Sequence, residues 1–166
     1  MNEILKAAQD MLPQMIEDRR TIHRMGGVGF ELRQSADYIL SELEKAGIEA
    51  REVCPCGIVA TVGRGDKTIL LRADFDALPL CEVTGLPFAN TAGSCHACGH
   101  DFHATMLLAA ARMLKARENE LNGVVKLVFQ PAEETLEGSM ALIRAGVLEN
   151  PHVDAAFAMH VEAGAE

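Results

Sequence analysis

The densest group of reactive side chains in this sequence lies within residues 95–103, which read Cys-His-Ala-Cys-Gly-His-Asp-Phe-His. Thiolate, imidazole and carboxylate groups are the ligands that zinc and related divalent metals prefer. Cys98 and His100 are separated by one glycine, so both side chains can turn toward a single ion while the backbone stays tight. The spacing therefore predicts a metal site that includes Cys98 and His100.

A redox thiol pair is the alternative for the same cluster. Cys95 and Cys98 are two residues apart, as in thioredoxin-like proteins, and a thiolate at a helix N-terminus has a lowered pKa. A c-type haem attachment is excluded, because that motif needs histidine where Gly99 stands. The local sequence leaves the metal site and the thiol pair open.

Pairs of acidic residues follow two of the predicted strands. Glu133 and Glu134 come shortly after the apolar run 124–129, and Asp74 and Asp76 end another β-type run. Strand ends are where α/β proteins place their sites. Adjacent residues of an extended segment point to opposite sides, so we expect one glutamate to bind metal and its neighbour to act as general base. This division of roles suits metal-assisted hydrolysis.

For two other histidines, the surrounding sequence leaves more than one role open. His160 closes the last apolar run, where a structural histidine and a metal ligand are both open. His23 lies near the end of the first predicted helix, and we expect a structural hydrogen bond or a helix-dipole role for it.

The elements that must position these residues follow from hydrophobic periodicity. Helices are predicted over 4–23 (with Pro13 as a kink), 35–46, 104–116 and 139–145, and strands over 48–54, 58–62, 68–72, 124–129 and 155–161, with 63–66 as a hairpin turn. This alternation predicts an α/β layered fold with helices on both faces of the sheet. Residues 78–98 lack periodicity, and a loop of that length is usually functional.

Composition limits the partners. The chain has 166 residues, with 15 basic against 24 acidic ones and a net charge of −9. No basic cluster marks a nucleic acid or an anionic membrane as partner. We find neither a membrane-spanning run nor a signal peptide, and therefore expect a cytoplasmic protein with a small-molecule substrate, whose five cysteines are thiols or metal ligands.

Five stretches, in order, resemble the M20 metallopeptidase family: 22–31, 70–79, 96–101, 128–134 and 155–161. The most similar branch is the amidohydrolases that include hippurate hydrolase, auxin-conjugate hydrolases and N-acyl amino acid deacylases. The resemblance implies a zinc-peptidase-like α/β fold with a central mixed sheet flanked by helices. It implies hydrolysis of the amide bond of an N-acyl amino acid or similar small amide.

The resemblance also implies individual roles. The metal ligands it implies are Cys98, His100, Glu134 and His160. Glu133 matches the general base and Asp76 the aspartate that supports the site, whereas Asp74 and Asp101 are matches without an assigned role. The family holds two divalent cations per site, for which we expect Zn²⁺ or Mn²⁺, with Co²⁺ and Ni²⁺ also compatible.

Length is the main departure from the family pattern, beside the loop 25–28, which reads Met-Gly-Gly-Val in place of an Asn/His-Pro-Glu-Leu type of run. Residues 1–166 correspond to the N-terminal part of an M20 catalytic domain. The lid and dimerisation domain and the C-terminal catalytic part, with its further histidine ligand, are expected to be absent. We therefore expect homo-oligomers or association through the open face. A truncated, catalytically silent metal- or partner-binding module is the alternative function, and a thiol redox protein is the third.

Overall fold

A mixed five-stranded sheet forms the centre of the molecule in the computed structural model, which describes residues 3–162 and residue 164. The strands are β1 (Ala50–Cys54), β2 (Gly57–Arg64), β3 (Thr68–Asp74), β4 (Gly123–Gln130) and β5 (Ala155–Ala158), in the order β1-β2-β4-β3-β5. β2 pairs antiparallel with β1 and β4, whereas β3 runs parallel to both β4 and β5. The carboxyl ends of β3, β4 and β5 therefore lie at one edge of the sheet.

Helices cover both faces of the sheet, as predicted. They are α1 (Glu3–Asp10), α2 (Leu12–Met25), α3 (Arg33–Lys45), α4 (His100–Ala116) and α5 (Gly138–Arg144). On one face, Ile22, Ile39 and Leu108 share a core with buried strand residues such as Phe129. On the other face, Leu142 of α5 belongs to a second, smaller core. None of the helices in the described residues is long and apolar enough to cross a membrane.

The prediction that residues 63–66 form a hairpin between two paired strands is wrong, although the chain does turn there. β4 lies between β2 and β3, so that Val125 is the register partner of both Val62 and Ile69. β4 is buried over its last five residues and takes the central position of the sheet. A local turn signal carries no information about a strand that enters from some sixty residues farther along.

Three element boundaries differ from the prediction in ways that affect the site. The first helix is divided at Met11, because Pro13 suits the first turn of a new helix rather than a helix interior. α4 begins at His100 instead of residue 104, so its first turn carries the reactive cluster. β5 ends at Ala158, which leaves His160 beyond the strand.

Candidate metal centre

The four expected metal ligands meet at the carboxyl edge of the parallel strands. His100 Nε2 lies 3.8 Å from Glu134 Oε1, and Cys98 Sγ lies 3.4 Å from His160 Nε2. Cys98, His100 and His160 each offer a ligand atom within 4.8 Å of the other two. His100 is therefore the centre of a set that contains sulfur, nitrogen and oxygen donors.

Gly99 allows the tight turn between Cys98 and His100. Its φ of 83° is left-handed, a conformation that glycine adopts without strain. A Cβ atom at this position would lie 2.5 Å from Val161 Cγ2. The residue between Cys98 and His100 must therefore lack a side chain if the segment after β5 is to approach α4.

Several buried polar atoms at this site have no hydrogen-bond partner among the described residues. They include both ring nitrogens of His100, Asp76 Oδ1 and Glu134 Oε1. Buried polar groups are ordinarily paired, so a group of unpaired atoms facing one another needs explanation. His100 Nδ1 and Asp76 Oδ1 lie 3.4 Å apart and face each other, whereas a divalent cation bound by sulfur, nitrogen and carboxylate donors would satisfy His100 Nε2 and Glu134 Oε1. The residues present thus fit a metal of the zinc type.

The electrostatics show an excess of negative charge around the ligands. Burial, followed by the negative charge of Glu134, raises the pKa of the Cys98 thiol to about 11. Burial would lower the pKa of His100, but the carboxylates of Asp76, Asp74 and Glu134 outweigh it and raise that pKa. Protons and a metal cation therefore compete for the same atoms.

Asp76 contacts two of the ligand-bearing segments. Its Oδ2 accepts a hydrogen bond of 3.1 Å from the backbone N–H of Glu134, and its Oδ1 lies 3.4 Å from His100 Nδ1. A carboxylate beside the non-coordinating nitrogen of a histidine ligand orients the ring and increases its basicity. Asp76 therefore connects the turn that contains Glu134 with the ring of His100.

The expectation that Glu133 and Glu134 point to opposite sides is wrong. Both residues lie in a turn after Pro131 rather than in an extended segment. As a result both carboxylates approach the same atom: Glu133 Oε2 lies 3.9 Å and Glu134 Oε1 3.8 Å from His100 Nε2. The Glu133 side chain is the more exposed of the two, at 34% against 22%.

Comparison with known proteins identifies the family. Residues 70–166, more than half of the chain, match peptidase family M20/M25/M40. The chain belongs to this family.

Individual relatives of this M20/M25/M40 chain cover nearly all of it. An IAA-amino acid hydrolase ILR1-like 5 of Arabidopsis thaliana is 42% identical over 95% of the chain, and the hippurate hydrolase of Campylobacter jejuni is 39% identical over 91%. The crystal structure of the Bacillus subtilis YXEP protein, described as a dinuclear metal-binding peptidase from the M20 family, superposes on 94% of the chain with a TM-score of 0.88 at 38% identity. The chain spans only 36%, 40% and 44% of these proteins, respectively.

The thiols of this M20 chain do not resemble a reactive redox pair. Burial is the largest cause that raises the pKa of both Cys95 and Cys98, and nearby carboxylates raise it further. Reactive thiols have lowered pKa values and electropositive surroundings. The environment therefore favours a metal-binding role for Cys98 over thiol exchange with Cys95.

His23 is a buried member of the site surroundings whose partners the sequence did not reveal. Its Nδ1 lies 2.7 Å from Asp101 Oδ2, and its Nε2 lies 3.1 Å from both oxygens of Glu82. Arg19 Nε, one helical turn before His23, also lies 2.7 Å from Asp101 Oδ2. The structural hydrogen bond expected for His23 is thus confirmed. Its four-residue spacing from Arg19 was the available signal that both face one partner.

Proposed function

We propose that this chain provides the metal-binding and general-base residues of an amidohydrolase that cleaves N-acyl amino acids or similar small amides. The observation that supports this proposal most is the pair of unpaired buried atoms His100 Nε2 and Glu134 Oε1 beside Cys98 and His160. Relatives named for hydrolysis of IAA-amino acids and of hippurate indicate an acyl group joined to an amino acid.

In this proposal Cys98, His100, Glu134 and His160 hold the metal, and Asp76 orients the His100 ring. A bound divalent cation would supply Lewis acidity, which acidifies water and polarises an amide carbonyl. Glu133 would take the proton from the attacking water and deliver it to the leaving amine. Its position 3.9 Å from His100 Nε2 and its partial exposure suit a group that exchanges protons with water and substrate.

The metal content of the proposed site follows from its donors. A cysteine, two histidines and a glutamate suit Zn²⁺, and Mn²⁺, Co²⁺ and Ni²⁺ are compatible with part of this set. The dinuclear metal-binding relative supports two cations per complete site.

We also propose that residues 1–166 are the N-terminal part of a larger catalytic unit, whose lid and remaining catalytic segment lie outside this chain. The chain spans less than half of its relatives. All four residues of β5 are exposed, and β5 lies at the end of the strand order. An open edge strand pairs readily with another chain, so we expect self-association or completion by the missing segments at this edge.

The test combines metal analysis with a substrate panel. Protein purified without chelator is analysed for bound metal and incubated with N-acetyl and N-benzoyl amino acids. Glu133→Gln should keep the metal and lose about 10²- to 10⁴-fold in hydrolysis rate, as expected for loss of a general acid-base group. Glu137→Gln, an exposed glutamate near the same turn, is the matched control.

Three outcomes separate the candidate functions. Hydrolysis that survives Glu133→Gln contradicts the mechanism. Stoichiometric metal without hydrolysis by the wild-type chain supports the silent metal-binding module instead. Reduction of a disulfide substrate that is lost in Cys95→Ser and retained in Glu133→Gln would support the thiol redox function.

A further inference from the structure

Three histidine rings lie against one another beside the proposed metal, and distance alone does not decide which of them are ligands. The ring centroid of His103 lies 5.3 Å from that of His100 and 4.5 Å from that of His160. Asp74, His100 and His103 also offer ligand atoms within 4.8 Å of one another. By proximity His103 is as good a candidate as His160.

The partners of the ring nitrogens distinguish His103 from His160, because both nitrogens of His103 are engaged by groups outside the proposed ligand set, whereas His160 Nε2 lies 3.4 Å from Cys98 Sγ. The backbone N–H of Val161 donates to His103 Nε2 at 2.9 Å, and His103 Nδ1 lies 2.5 Å from Asp74 Oδ1. Since a backbone N–H can only donate, Nε2 must offer its lone pair. The proton of the neutral ring is then on Nδ1, from which it is donated to Asp74.

The carboxylate that receives this proton is itself held in place. Asp74 is fully buried, and its Oδ2 lies 2.7 Å from Arg72 Nη1. Arg72 in turn donates from Nε to Gln130 Oε1 at 2.9 Å, at the end of β4. Arg72, Asp74 and His103 thus form a continuous chain of contacts from the sheet to Val161.

Val161 directly follows His160, and this segment has left the sheet. β5 ends at Ala158, and His160 is exposed, so neither strand pairing nor deep burial fixes its position. The hydrogen bond from Val161 to His103 joins the segment to α4, which begins with His100. α4 thereby contains His100 and also binds Val161, the residue next to His160.

We propose that His103 is a positioning residue that holds His160 in the metal site through the Val161 N–H, and that it is not itself a ligand. This inference rests on the proposed function for the role of His160. It deepens that proposal because it selects one of two imidazoles of equal proximity.

Two amide substitutions separate the two hydrogen bonds of His103. In His103→Gln the side-chain oxygen reaches the position of Nε2 and can accept from Val161, whereas in His103→Asn the amide reaches only the position of Nδ1, facing Asp74. We expect His103→Asn to weaken Co²⁺ binding by about 10- to 100-fold, the usual effect of removing a support of a ligand. His103→Gln should stay close to wild type. Co²⁺ is titrated by the thiolate-to-cobalt absorption band, with His152→Asn, an exposed histidine, as control.

A ligand role for His103 predicts a different pattern. Both variants would then weaken Co²⁺ binding alike and alter the visible ligand-field bands. Either that result or stronger binding by His103→Asn than by His103→Gln would overturn the proposal.

A second measurement on the metal-free chain keeps the positioning role testable by itself. Long-range ¹H–¹⁵N spectra should show His103 as the Nδ1–H tautomer, and hydrogen exchange of the Val161 amide should accelerate in His103→Asn but not in His103→Gln. An Nε2–H tautomer, or Val161 exchange that neither variant changes, would refute the anchor. Failure of the wild-type chain to bind Co²⁺ would instead refute the proposed function, while these two readouts still decide whether His103 holds Val161.

Discussion

Two buried polar sites beside β4 differ in whether their hydrogen bonds are satisfied. In mid-strand, the Lys126 side chain is almost fully buried, and its ammonium donates to the backbone carbonyls of Val147, Glu149 and Pro151 at 2.8, 2.9 and 2.8 Å. An ammonium has three donors, and all three are used. Near the carboxyl end of the strand, His100 and Glu134 retain buried atoms that have no partner among the described residues.

This difference in hydrogen bonding separates a structural polar group, Lys126, from a candidate binding site, that of His100. The chain itself completes the surroundings of Lys126, and the loop that supplies the carbonyls is held by it. The surroundings of His100 stay incomplete until something from outside the chain is added. Burial of polar groups is therefore less informative than whether their hydrogen bonds are satisfied.

The largest effect should come from damage to the completed site. Lys126→Met leaves three carbonyls without their donor, at a cost of about 1 to 3 kcal/mol for each one that stays buried. We expect a loss of at least about 3 kcal/mol in unfolding free energy, or roughly 6 to 12 °C in Tm. Thermal and urea unfolding measure this loss. Lys67→Met, which removes an exposed ion pair with Asp154, is the control and should cost less than about 1 kcal/mol.

The next effect should come from completing the incomplete site. Zn²⁺ or Co²⁺ at about 100 times its Kd should stabilise the chain by about 2.7 kcal/mol, because it binds the folded state alone. Cys98→Ser should lose most of this gain, whereas Cys54→Ser, which changes a half-buried thiol at the turn between β1 and β2, should retain it. Equal gains in both variants would mean that the metal binds elsewhere.

A smaller effect of opposite sign should follow from neutralising a ligand. In the metal-free chain, Glu134→Gln removes one of several uncompensated carboxylates and should raise the unfolding free energy by about 0.5 to 1 kcal/mol, as is common when a functional site is relieved of strain. With saturating metal the order should reverse. A metal-free Glu134→Gln variant less stable than wild type would show that this site, like that of Lys126, is already satisfied.

An effect of comparable size concerns the loop beside the site and depends on pH. Although burial opposes ionisation, hydrogen bonds from Thr84, His23 and the backbone of Asn90 lower the pKa of Glu82 to about 2. A carboxylate whose pKa is lower in the folded state stabilises the fold above its unfolded pKa, and this contribution is lost as pH falls toward 2. Glu82→Gln should therefore lower Tm at pH 7 by about 2 to 4 °C, equivalent to one hydrogen bond of about 1 kcal/mol. The difference should shrink by pH 3, and a constant difference would contradict the assignment.

The sequence predicted the helices and strands better than it predicted which strands lie side by side. Hydrophobic periodicity located β3, β4 and α4 to within a few residues, because burial of one face repeats with the element. The position of β4 between β2 and β3 was missed, since it depends on pairing between Val125 and residues far away in the chain.

The candidate site shows the same limit. The residue types and spacing of Cys98 and His100, together with the family resemblance, were sufficient to nominate a metal. The partners of His23 are 59 and 78 residues away, and the anchor on His103 depends on where β5 stops. Contacts of this kind arise from the folded path of the chain and have no local pattern.

The missing side chain of Gly99 has a consequence for the choice of cation. A Cβ atom at Gly99 would lie 2.5 Å from Val161 Cγ2, so the absence of that atom lets the segment with His160 approach the segment with Cys98. A methyl group there would push the segment with His160 away from Cys98, and in the proposed metal site this would favour a larger ion or none. The absence of a Cβ atom at Gly99 therefore sets the size of the ion that the proposed site would accept.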